Sequence, residues 1–305
     1  MKTKYGLGTV FVELTRRCNM KCPHCMRGPA QRKDMSEEVM DAIMRKMKLT
    51  TNGIGSMVLG GGENALVPHL IKMLFYKMEA GGVYPGMFSV VTNGKRFTEE
   101  FGRALAVANT RCETYLTLSD DNQHEYVDRD RFNDRVDKMN DLAAEISRFH
   151  SEVSLGTRYG SDRMRDVKRH DANSILKMGR GATEFGGVAA SYVHPYDVIG
   201  DDNASPLEDD DFYVDVDGNV WPHCDLSYRF MKLRKDMCLG NVTDPDFDWF
   251  EAAVRFNARH AENFPLRMCE PGCEGEFFNE SFGTIRYRDD DEKIEKSLEM
   301  IKELK

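Results

Sequence analysis

The feature that most narrows the fold is a repeated exchange of short apolar runs for longer stretches of helical periodicity. Residues 8–14, 54–59, 88–91, 114–118, 153–157 and 188–193 have the length and composition of strands. Between them Val39, Ile43 and Met47, then Leu70, Ile71, Leu74, Phe75 and Met78, recur at the spacing of one helix face. Phe132, Val136, Met139, Leu142 and Ile146 form a further stripe of this kind. The caps agree: Ser36 precedes Glu37 and Glu38, Pro68 suits a first helical turn, and Thr98 stands ahead of the next helix. Strand–helix alternation requires parallel strands with right-handed crossovers, which is the α/β class. Six units are fewer than the eight of a closed barrel.

Cys18, Cys22 and Cys25 stand in a C-x3-C-x2-C pattern directly after the first apolar run. Thiolates so close together converge only on a loop wrapped around one centre. A structural zinc usually takes four protein ligands, and most ferredoxin clusters take four cysteines in other spacings. Three cysteines with no fourth nearby point to a cubane iron–sulfur cluster with one iron left to a ligand that is not protein. A zinc knuckle, or a cluster with only a structural role, is the plain alternative.

This loop, with a histidine (His24) before its last cysteine, resembles the signature of radical S-adenosylmethionine (SAM) enzymes. The resemblance implies an open partial (β/α)6 barrel of TIM type, with Cys18, Cys22 and Cys25 holding a [4Fe–4S] cluster. In that family the amino and carboxylate groups of SAM chelate the open iron. An electron from the cluster then cleaves SAM to methionine and a 5′-deoxyadenosyl radical, which takes hydrogen from the substrate. Such chemistry belongs to the cofactors, while the protein supplies orientation and exclusion of side reactions.

Gly61-Gly62-Glu63 resembles the family's Gly-Gly-Glu-Pro motif, which holds the SAM amino group. Glycines admit close backbone approach, and a carboxylate accepts from an ammonium. Asn64 stands where proline is usual and Gly60 adds a third glycine; read alone, such a stretch is a tight turn. Ser119 and Asp121 match a Ser-x-Asp pattern that meets the ribose or methionine part of SAM, with a helix N-cap as the competing role. Arg158 has the fork to pair with the SAM carboxylate, or is a surface arginine. For His24 the family analogy concerns the backbone, which meets adenine.

Beyond residue 200 the pattern changes. Residues 201–211 are acidic and loop-like, and are expected to connect two domains. Residues 212–216 and 220–221 read as a hairpin turning at Asp217-Gly218. Cys224, Cys238, Cys269 and Cys273 form a second set resembling the twitch domain, a shortened SPASM domain that holds an auxiliary [4Fe–4S] cluster. Zinc or unligated thiols are the alternatives. Cys112 reads as a core residue. The expected division is a barrel core over 1–197, a small α+β cysteine-bearing domain over 198–285, and an amphipathic helix over 286–305. His194, Tyr196 and Asp197, after the sixth run, lie where substrate reaches, although His194-Pro195 also suits a simple turn.

The 305 residues carry a net charge of −9, which argues against a broad nucleic-acid-binding face. No apolar run approaches the ~18 residues of a membrane span, and none suits a signal peptide. A cytoplasmic protein is expected, its clustered cysteines serving metal or redox chemistry. The resemblance implies a peptide or small-molecule substrate and an external electron donor such as flavodoxin or ferredoxin. The competing class is a non-catalytic iron–sulfur carrier or a zinc-stabilised binding module.

Overall fold

The structure is a computed structural model that describes residues 5–119, 128–146, 156–159, 176, 178–185, 191–197, 207–268 and 288–304. The expected alternation is present as β1 (Tyr5–Thr15), α1 (Glu37–Thr50), β2 (Thr51–Gly61), α2 (Pro68–Gly81), β3 (Pro85–Thr92), α3 (Glu99–Asn109), β4 (Glu113–Leu118), α4 (Arg129–Ile146) and β5 (Gly156–Tyr159). These five strands pair in parallel in the order β5-β4-β3-β2-β1. Helix faces follow the sequence stripes: Met40, Ile43 and Met47 of α1 and Leu70, Ile71, Leu74 and Phe75 of α2 are buried. Thr98 caps α3 by accepting the Phe101 N–H, and Gly82 closes α2 in a left-handed conformation.

The remainder runs α5 (Gly179–Phe185), β6 (Ser191–Val193), β7 (Leu207–Val214), β8 (Asn219–Trp221), α6 (Tyr228–Leu233), β9 (Gly240–Asn241), α7 (Trp249–His260), β10 (Leu266–Met268) and α8 (Arg288–Glu303). Two expectations are corrected here. The sixth apolar run, as β6, is not a barrel strand but pairs antiparallel with β10. The sixth parallel strand is β7, which lies along the free edge of β1 with Val10 opposite Phe212 and Val12 opposite Val214. β7 draws its first half from the acidic stretch expected to be a connector. Strand composition rules weigh side chains, whereas ladder pairing uses the backbone, so the run of carboxylates hid the strand.

The hairpin turn at Asp217-Gly218 is present, with Gly218 at φ 82°. Yet β8 and β9 extend the same sheet antiparallel, so the hairpin continues the barrel sheet rather than founding its own. The result is an open, mostly parallel α/β sheet. Tyr196 stacks on Phe212 at 5.1 Å, and Trp249 meets Phe212 edge-on at 5.3 Å. Asn257 of α7 accepts the Tyr196 N–H at 2.8 Å and donates to the Ser297 hydroxyl at 3.0 Å, which docks α8. No helix among the described residues is long and apolar enough to cross a membrane.

Candidate cofactor site

In a parallel sheet, ligands bind beyond the carboxyl ends of the strands. The cysteine loop leaves β1 there and returns at Asp34, so its two ends are pinned side by side. Arg16 N–H donates to the Lys33 carbonyl at 2.8 Å, Met35 N–H to the Leu14 carbonyl at 2.8 Å, and the Thr15 hydroxyl to Asp34 at 2.6 Å. Within the loop the Cys25 N–H turns back to the Cys22 carbonyl at 3.2 Å. All three thiols are half-buried. Burial is the main cause that pushes the Cys18 thiol up; a Met20 N–H opposes it, and the charges of Glu63, Cys22 and Cys25 add to it. The three thiols share one loop, but their sulfurs do not all lie within 4.8 Å of one another.

The glycine turn at the end of β2 lies directly beneath. Gly62 N–H donates to the Thr15 carbonyl at 2.8 Å and Glu63 N–H to the Arg17 carbonyl at 2.7 Å. Gly61 takes φ 94°. A Cβ on Gly62 would stand 2.1 Å from the Arg17 carbonyl oxygen. The cysteine loop and this turn are thus in backbone contact that only glycine admits.

Glu63 is 2% exposed. Its carboxylate accepts the Ala65 N–H at 2.9 Å, the Thr92 hydroxyl at 2.6 Å and the Asn93 N–H at 2.8 Å. It therefore joins the ends of β2 and β3. Asn64, in the place of the family's proline, donates its amide to the carbonyls of Leu59 and Val91, both at 3.1 Å. Three half-buried thiols, a backbone cradle without side chains and an adjacent carboxylate suit an iron–sulfur cluster beside an amino-acid-bearing ligand.

The other expected residues are distributed as follows. Ser119 follows β4, and its N–H donates to the Thr92 carbonyl at 2.8 Å. Arg158 lies on β5 opposite Thr117, and His24 lies half-buried in the cysteine loop. Asp121, Cys269 and Cys273 fall outside the described residues. Tyr196 is 2% exposed, with its ring stacked on Phe212 in the aromatic core. His194 sits 3.5 Å from Asp290 and Asp197 sits 3.8 Å from Lys293, both of these partners on α8.

Cys224 follows β8 and Cys238 precedes β9. The Cys238 thiol donates to the carbonyls of Val220 at 3.5 Å and Gly240 at 3.3 Å, and burial pushes it up. His223, Cys224 and Asp225 present donor atoms within 4.8 Å of one another.

Sequence reading missed the residues that bind this segment to the first loop. Arg27, fully enclosed, donates to the Leu226 carbonyl at 2.8 Å and lies 4.2 Å over the Tyr213 ring, while its own carbonyl accepts the Tyr228 N–H at 3.1 Å. Burial works against its charge, yet Tyr213, Glu13 and the Cys224 sulfur hold its pKa above the usual arginine range. Glu13, 0% exposed, takes the Arg16 Nε at 2.8 Å and the Tyr228 hydroxyl at 3.0 Å. Arg16 also reaches Asp215 at 3.4 Å. Sequence reading missed Gly179 as well. A Cβ there would meet the Met26 and Cys25 carbonyl oxygens at 2.4 and 2.6 Å, and the neighbouring Arg180 N–H donates to Cys25 at 2.9 Å. The only sequence signal was a charged residue or glycine in an apolar neighbourhood, which is too common to stand out.

Comparison with known proteins gives the following. The sequence profile described as the Radical SAM superfamily matches residues 12–164. No curated protein matches the chain. Among solved structures, anSMEcpe with bound AdoMet is similar at 16% identity and a TM-score of 0.50, over 84% of this chain and 82% of that one. Streptococcus suis SuiB bound to S-adenosylmethionine is similar at 13% identity and a TM-score of 0.46, over 82% of this chain and 65% of that one. SuiB bound to its precursor peptide SuiA matches at 10% identity and a TM-score of 0.40, over 81% and 64%.

Proposed function

The chain belongs to the radical SAM superfamily, and from that premise we propose that it is an enzyme that reductively cleaves SAM and abstracts hydrogen from a peptide or small-molecule substrate. The observation that carries the proposal is the seat itself. The loop of Cys18, Cys22 and Cys25 rests backbone to backbone on Gly61-Gly62, and the Gly62 contact leaves no room for a side chain.

In this reading the three cysteines hold the cluster, and the glycine backbone lets the amino-acid end of SAM approach closely. Glu63 attracts the ammonium while remaining anchored to β3. Ser119 and Asp121 contact the ribose or methionine part, Arg158 pairs with the carboxylate, and the His24 backbone flanks adenine. Bound there, cluster and SAM would supply the one-electron cleavage chemistry, and the chain orients and shields it.

Cys224, Cys238, Cys269 and Cys273 are proposed to hold an auxiliary cluster in a twitch-like segment spanning 198–285, between the core to residue 197 and the terminal helix from 286. A buried arginine, Arg27, bonded to the Leu226 carbonyl two residues beyond Cys224, supports an anionic group in this segment. Such a group, held by these cysteines, would supply an acceptor for the second electron of a net oxidation. His194 and Asp197 border the substrate side. A flavodoxin or ferredoxin in the cytoplasm supplies the reductant.

The test is anaerobic reconstitution followed by dithionite and SAM. The proposal expects 5′-deoxyadenosine that requires Cys18, Cys22 and Cys25. A preparation that binds iron yet releases none would instead be an electron carrier, and one that binds only zinc a structural module.

A further inference from the structure

The end of β3 contributes a residue that neither the cysteine motif nor the glycine turn includes. Asn93 is 7% exposed. Its Nδ2 stands 3.9 Å from the Cys18 sulfur and 2.8 Å from the Asn19 side-chain oxygen. The Asn93 backbone N–H donates to Glu63 at 2.8 Å. One residue therefore touches both the first cysteine and the carboxylate of the glycine turn.

The amide orientation follows from its neighbours. Asn93 Oδ1 accepts the Lys95 N–H at 3.0 Å, and a backbone N–H can only donate. The oxygen is committed to Lys95, so the NH2 group must face Cys18. Its position is fixed at both ends, because the Thr92 hydroxyl also accepts the Gly94 N–H at 3.1 Å while donating to Glu63.

We infer that Asn93 is a positioning residue of the N-terminal cluster: its side-chain N–H donates to the Cys18 sulfur and makes the cluster easier to reduce. The reason is electrostatic. A donor aimed at a ligating sulfur stabilises the extra negative charge of the reduced state, and hydrogen bonds to the sulfurs are among the features that set cluster potentials. Through Glu63, the same residue fixes the distance between that sulfur and the seat proposed for the SAM ammonium. The inference rests on the reading that Cys18, Cys22 and Cys25 hold a cluster.

The experiment is an EPR-monitored redox titration of reconstituted wild type, Asn93→Ala and Asn93→Ser. Serine keeps an oxygen that can accept the Lys95 N–H but is too short to reach Cys18. At the wild-type midpoint both variants are expected to show a reduced-to-oxidised ratio at least threefold lower, with iron content retained. An unchanged ratio in an iron-loaded variant overturns the inference. If neither variant loads iron, the wild-type cluster decides: pulsed EPR shows an exchangeable proton coupled to the cluster if the bond exists, and its absence overturns the inference. A wild type that takes up no iron defeats the underlying reading instead, so the two failures are distinguishable.

Discussion

The hydroxyl of Tyr228 donates to the carboxylate of Glu13 across 3.0 Å, joining residues 215 positions apart in the chain. Glu13 lies buried near the end of β1, just before the cysteine loop, and Tyr228 opens α6, four residues after Cys224. With Arg16 and Arg27 they form an enclosed polar joint between the two cysteine-bearing segments. A buried carboxylate is tolerated only while its donors are present.

Tyr228→Phe removes one donor from that carboxylate and leaves shape unchanged. The expected loss is about 1–3 kcal/mol of unfolding free energy, read as a lower urea midpoint at constant slope. Burial, and then the Glu13 charge, push the Tyr228 pKa up. The folded chain thus keeps a phenol proton that the unfolded chain releases near pH 10. Wild-type stability should fall as pH climbs beyond about 10, and Tyr228→Phe should flatten that decline.

Gly62→Ala places a methyl 2.1 Å from the Arg17 carbonyl oxygen, while nothing lies within 4 Å of a Cβ on Gly60. The first substitution should cost about 1–3 kcal/mol and impair cluster reconstitution. The second should stay within about 0.5 kcal/mol of wild type. Thermal unfolding and iron content measured on the pair separate a close approach from a merely flexible turn.

Asn64→Pro restores the residue usual in the family. Position 64 begins a short 3-10 turn capped by Glu63, where proline's missing N–H is harmless. The amide bonds to Leu59 and Val91 are lost, so a destabilisation of about 1–3 kcal/mol is expected. Equal stability in a urea titration would mean those two carbonyls find other donors.

Burial pushes the Cys112 thiol up to about 11, with the Thr114 hydroxyl opposing. Its folded pKa lies above the unfolded one, so its contribution is present below about pH 8.5 and lost as pH rises through the folded value. Unfolding free energy measured between pH 8 and pH 11 (about 8 and about 11 bracket the two pKa values) should decline less steeply in Cys112→Ala than in wild type.

The variant Cys18/Cys22/Cys25→Ala should retain about four irons per chain on the cubane stoichiometry if Cys224, Cys238, Cys269 and Cys273 hold a second cluster. Retention of none assigns all bound iron to the first loop.

The barrel units and the first cysteine loop were legible because both are periodic or local. Apolar spacing marks α1, α2 and α4, and C-x3-C-x2-C lies within one loop. β7 was hidden because Glu208, Asp209, Asp210 and Asp211 give it the composition of a connector, though its backbone pairs with β1. β6 misled in the opposite sense: its composition is that of a barrel strand, and its partner is β10. Glu63 was legible as a candidate through its glycine-rich setting, but not its three internal donors, which come from Ala65 and the end of β3. Glu13, Arg27 and Tyr228 were illegible because a buried ionic joint depends on contacts between distant residues, and each alone looks like surface.

β1 carries a parallel neighbour on each side, β2 and β7. Both cysteine-bearing segments are therefore suspended from one three-strand girder instead of from two bodies with a joint between them. Swinging the hairpin aside to admit a bulky reactant would mean unzipping β7 from β1. The interval between the first cysteine loop and the Cys224 segment is held by the frame itself.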